Sequence, residues 1–183
     1  MTQNDYLAGR RAWQTFPIDE MLPTRILFLH GLTSVRGGAN PTFLKDHDQT
    51  VFNPKHPEEE FEEAVQIAQE EFDKHKLHVV VESSRGVAVA MNIKSGDARL
   101  VLHCPAWNQW GSARTVKPGT VILHSRADDV LPFGDSEELD RTSGLPASAL
   151  IEVGKGLPLG RPEAAGKDVE GVWPLLMLQR RKD

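Results

Sequence analysis

Three stretches of the chain place chemically capable residues just after apolar runs. They are His30-Gly31-Leu32-Thr33, Glu82-Ser83-Ser84-Arg85-Gly86 and His124-Ser125-Arg126-Ala127-Asp128-Asp129-Val130-Leu131-Pro132. A serine hydroxyl is a poor nucleophile until a base takes its proton, and a sharp strand-to-helix turn presents that oxygen clear of a sheet. Main-chain N–H groups at such a turn stabilise an oxyanion as it develops, often by about 3 kcal/mol per donor. These residue types therefore suit nucleophilic chemistry at Ser84. Each stretch also has a plain structural reading: Ser84 as a helix N-cap, Asp128 and Asp129 as turn formers, and His30-Gly31 as a tight turn using the backbone freedom of Gly31.

The elements that must position these residues are short runs rich in β-branched side chains, recurring between helical segments. Such a pattern marks a parallel sheet covered on both faces. Strands are expected at Arg25–Leu29, Gln49–Phe52, His78–Val81, Arg99–Leu102, Thr120–Leu123 and Ala149–Val153. Between them, Pro57–His75 carries Phe61, Ala64, Val65, Ala68 and Phe72 at helical spacing and reads as an amphipathic crossover helix. Its acids, Glu58 to Glu60 with Glu62 and Glu63, suit the positive end of a helix dipole better than a metal site. Ser84–Asn92 reads as a short buried helix and Phe133–Arg141 as a more exposed one. Cys104–Pro118 reads as a loop whose Trp107 and Trp110 serve a pocket mouth or the core. The expected fold class is α/β, a doubly wound, mostly parallel sheet of about six strands with helices on both faces. Ligands of such sheets bind beyond the carboxyl ends of the strands, where all three stretches fall.

The chain has 183 residues, a size that suits one core, and a formal net charge of −5. With Lys and Arg scattered rather than banded, nucleic acid is not an expected partner. No run approaches the roughly 18 apolar residues of a membrane span, and residues 1–20 lack the apolar core of a signal peptide, so a cytoplasmic location is expected. The single cysteine, Cys104, excludes an internal disulfide and a CxxC motif and reads as a small buried hydrophobe. No cofactor and no metal are expected. Residues 1–20 read as a poorly ordered extension, 21–163 as the domain and 164–183 as an atypical tail; Met21, directly before the first strand, is an alternative start.

Taken together, the three stretches resemble the α/β-hydrolase superfamily, particularly its small lidless, esterase-like members, over roughly Thr24 to Glu163. The family places a His-Gly after its first long strand, a GxSxG nucleophile elbow after the next central one, and an acid in a pattern like HGxxDxxVP later. The resemblance implies acyl transfer to water from a small ester, thioester or amide. Ser84 would be the nucleophile and Asp128 the acid, with the backbone amides of Leu32 and Arg85 as the oxyanion hole.

The pattern is broken at two places. All seven histidines precede Asp128, and the position where the family carries its base is occupied by Leu157. A substitute base would come from His103, His30 or His124, with His103 first. The first glycine of the elbow is Glu82, which is expected to point outward or distort the turn and to disfavour a second negative charge nearby. A pseudo-enzyme or binding module on the same scaffold accounts for both departures. A flavodoxin-like or nucleotide-binding domain ranks last, because Gly37-Gly38 lacks the form of a phosphate loop. With permitted codons, the tail from Ala165 read one base later encodes an amphipathic helix like the family's last one, which the coding DNA would test.

Overall fold

A computed structural model describes residues 23–31 and 38–154. In chain order the elements are β1 (Arg25–Leu29), α1 (Ala39–Asp46), β2 (Thr50–Phe52), α2 (Phe61–Lys74), β3 (Val79–Ser84), α3 (Arg85–Asn92), β4 (Arg99–Pro105), β5 (Val121–His124), α4 (Phe133–Ser143) and β6 (Leu150–Glu152). The strands form one six-stranded sheet in the order β2-β1-β3-β4-β5-β6, and every neighbouring pair is parallel.

Side chains alternate across this sheet with the period of two that extended backbone imposes. Leu27, Leu29, Val80, Leu100, Leu102 and Ile122 point to one face, against Ala64 and Ala68 of α2, Val87 and Ala90 of α3 and Leu139 of α4. Ile26, Phe28, Val79, Val81, Val101 and Leu123 point to the other, with Leu44 of α1. The first crossover therefore leaves on the opposite face from the rest. The strand order reverses between β1 and β3, and such a switch point opens a crevice at the carboxyl ends of these two strands.

All six expected strands form, with shifted ends. β3 and β4 run past their apolar residues, because the ladder continues as Leu29–Glu82–Leu102 and Ser83–His103 and supplies partners whatever the side-chain polarity. α2 starts at Phe61, so Glu58 to Glu60 precede it and only Glu62 and Glu63 sit in its first turn. α1 was not expected: it is eight residues long with Pro41 inside. Proline is tolerated in a first turn, where its missing N–H has no partner to lose. The extension 1–20, the tail 164–183, Leu32 and Leu157 lie outside the described residues. Among those described, no helix is long and apolar enough to cross a membrane.

Candidate functional site

Ser84 ends β3 and precedes α3 with φ 53° and ψ −120°, a conformation that costs a non-glycine residue on the order of 1–3 kcal/mol. Its side chain makes no capping hydrogen bond to α3, so the N-cap reading fails. The strand feeding it is irregular. Ser83 pairs with His103 but Ser84 with Pro105, leaving Cys104 as the extra residue with φ 45°. Ala106 N then donates to Ser84 O at 3.3 Å, tying the turn to β4.

Two glycines let other backbone approach this turn. A Cβ on Gly86 would lie 2.5 Å from Leu29 O, so α3 can cross β1 only without a side chain there. A Cβ on Gly31 would lie 3.0 Å from Ser84 Cβ and 3.6 Å from Ser84 Oγ. The His30-Gly31 turn therefore abuts Ser84 directly.

Glu82 corrects an expectation. It does not point outward: it is fully buried, and both carboxylate oxygens lack hydrogen-bond partners among the described residues. Burial pushes its carboxyl well above the ordinary carboxylate range, which favours the neutral acid. Its Oε2 is 3.0 Å from the Cβ position of Gly86, the space a glycine at 82 would have left open.

Asp128 lies beyond β5. Its Oδ1 accepts from Val130 N and Leu131 N, both at 2.9 Å, and its Oδ2 is 3.5 Å from His124 Nε2. Burial works to raise its pKa, but the amides of Leu131 and Val130, the Cys104 thiol and His124 outweigh that and hold it below the usual value. Asp128 is therefore ionised and also orders the turn.

The three histidines at strand ends differ in what they can do. His124 is fully buried with both nitrogens engaged, Nδ1 with Ser136 Oγ at 2.7 Å and Nε2 with Leu131 O at 3.1 Å. A carbonyl only accepts, so Nε2 carries the proton and has no lone pair to offer a serine. His103 is buried beside His124 and Asp128; burial and then the His124 charge lower its pKa to about 4, and its Nδ1 has no partner. It is neutral at pH 7 and a weak base. His30 holds Nδ1 3.2 Å from Gly31 O and stacks on His56 with ring centroids 4.2 Å apart.

The structure also brings together groups that the sequence treated apart. Cys104 Sγ, a His124 nitrogen and an Asp128 oxygen lie within 4.8 Å of one another. Sulfur, nitrogen and oxygen donors in one place suit zinc by type. The proton on His124 Nε2 and burial of the Cys104 thiol, whose pKa is pushed up, make this a hydrogen-bonded cluster instead. His56, which nothing in its local sequence marks, is buried and stacks on His30, and the Arg85 side chain is buried within electrostatic reach of His56. Trp107 belongs to the core and donates Nε1 to Asp135 O at 2.9 Å; half-buried Trp110 packs near Cys104, Ala106 and Leu131.

No protein-family model and no curated protein sequence matches the chain. Solved structures do. A protein assigned to the hydrolases of the alpha/beta superfamily, from Xanthomonas campestris pv. campestris, aligns with TM-score 0.60 at 17% identity, over 84% of this chain and 97% of that one. A YdeN-like protein assigned as a hydrolase, from Pectobacterium atrosepticum, aligns with TM-score 0.58 at 13% identity, over 84% of each chain. A thermophilic esterase from Thermogutta terrifontis, with propionate bound, aligns with TM-score 0.53 at 16% identity, over 85% of this chain and 83% of that one. These likenesses show the fold: the six-stranded parallel α/β sheet of this chain is similar to that of structures described as α/β-superfamily hydrolases and an esterase.

Proposed function

We propose that the chain is a serine hydrolase of the α/β type acting on a small ester, thioester or amide. In this reading Ser84 Oγ attacks the acyl carbon and gives its proton to a base, and the leaving group departs with that proton. Water then releases the acid from the acyl-enzyme. The amides of Leu32 and Arg85 form the oxyanion hole and Asp128 is the acid. The observation that carries the reading is the strained φ of Ser84 at the strand-to-helix turn, with its hydroxyl uncommitted to capping. The base is proposed from His103, or from His30, whose Gly31 neighbour abuts Ser84. The esterase neighbour with propionate bound supports an ester of a short acid. The proposed substrate is a small molecule, and no nucleic acid, membrane or cofactor enters the proposal.

A catalytically impaired relative of that enzyme is the second reading. Leu157 in place of a base, the committed nitrogens of His124 and the buried acid Glu82 favour it. Fluorophosphonate labelling separates the two. The first reading expects labelling of the wild type that Ser84→Ala abolishes. An unlabelled, folded wild type that becomes labelled only as Leu157→His/Glu82→Gly would establish the second.

A further inference from the structure

Next to Ser84 lie buried polar groups for which the described residues provide no hydrogen-bond partner. Arg85 is 1% exposed, and its Nε and Nη2 donate to nothing among the described residues. His56 is 4% exposed, with the Pro57 backbone beside it, and neither ring nitrogen meets hydrogen-bond geometry with a partner among the described residues. The two are within electrostatic reach of each other, and His56 stacks on His30, whose neighbour Gly31 abuts Ser84. The rings of Phe61 and Trp110 lie 5.7 and 5.9 Å from the guanidinium carbon. Both rings are half-buried.

Leaving four buried polar atoms unbonded costs stability, and such a cost is tolerated where a ligand supplies the missing partners. The chemistry of that ligand follows from the donors. A guanidinium is always charged and presents parallel N–H groups that match a carboxylate. His56 is neutral at pH 7, since burial, then His30, then Arg85 lower its pKa to about 4. One positive charge balances one negative charge, which suits a carboxylate and leaves a phosphate dianion with an uncompensated charge in a buried place. Exposed Glu58 steadies the guanidinium electrostatically but leaves Nε and Nη2 unbonded.

We propose that Arg85 and His56 form a carboxylate subsite beside Ser84, so that the substrate is a small ester bearing a free carboxylate. This rests on the hydrolase reading for the word substrate; the subsite itself stands on the buried donors. The test is calorimetric titration of Ser84→Ala, which cannot consume an ester, with monomethyl succinate and with uncharged dimethyl succinate. The hemi-ester is expected to bind at least about tenfold more tightly. Arg85→Gln, which keeps the backbone amide, is expected to erase that preference, and Arg85→Lys to weaken it by losing the fork. If Arg85→Gln does not fold, the ligand comparison and Arg85→Lys still decide. Equal binding of the two esters, binding of neither, a preference that survives both substitutions, or methyl phosphate binding as tightly as the hemi-ester each overturns the subsite. A hemi-ester preference without fluorophosphonate labelling keeps the subsite and removes the hydrolysis.

Discussion

The carboxyl ends of β3 and β5 each carry a buried or nearly buried acid, and the fold treats them in opposite ways. At the end of β5, Asp128 has two backbone amides on one oxygen, His124 by the other, the Cys104 thiol nearby and a lowered pKa. At the end of β3, Glu82 has no partner on either oxygen and a raised pKa. Burial acts on both in the same direction. The difference is whether the local backbone turns its N–H groups toward the carboxyl: the Asp128 turn leaves two amides free to bond it, whereas Glu82 lies inside a ladder whose amides are paired along β1 and β4.

The sharpest test of this contrast is steric. Gly86→Ala puts a methyl 2.5 Å from Leu29 O and is expected to cost about 3 kcal/mol, the upper end of overpacking. Gly134→Ala, at the corresponding place in the first turn of α4, meets nothing within 4 Å and is expected to be neutral or slightly stabilising. Urea unfolding of both variants would break the contrast if their costs were alike.

The second test is the pH dependence of Glu82. Its folded pKa lies above its unfolded one, so its favourable contribution is complete below the unfolded value and is lost as pH rises toward the folded one. Wild-type stability is expected to fall above about pH 4.5 with a slope on the order of 1 kcal/mol per pH unit from this group, and Glu82→Gln to remove that slope. Identical pH profiles for wild type and Glu82→Gln would mean that the acid is solvated. For Asp128 the sign reverses. Its folded pKa is depressed, so its contribution is present at neutral pH and is lost as pH falls through the folded value. Asp128→Asn is expected to cost about 1 kcal/mol at pH 7 and less at an acidic pH where the carboxyl is protonated, because only the charged form strengthens the bonds to Val130 and Leu131. Thermal unfolding at the two pH values reads this.

Much of the fold was legible in the chain because its strands are buried on both faces. Runs such as Ile26-Leu27-Phe28-Leu29 and Val79-Val80-Val81 need no tertiary information to be recognised, and Ser84 followed from its place at the end of one. The short helix α1 was not legible. Only Phe43 and Leu44 mark it, and they pack because β1 and β2 form a surface for them. The direction of Glu82 was not legible either: residue type left it between pointing outward and distorting the elbow, and strand alternation fixed this side chain to the inner face.

The sequence by itself determined the α/β alternation, the strand ends that carry chemistry and the absence of a histidine after Asp128. Only the tertiary structure decided which histidines are spent on other partners, that Glu82 is fully buried with a raised pKa, and that Arg85 and His56 are buried within electrostatic reach of each other. Periodicity is a local property and survives in one dimension. Protonation and hydrogen-bond satisfaction depend on groups brought together across the sheet, as His56 and Arg85 are from opposite sides of α2 in the chain.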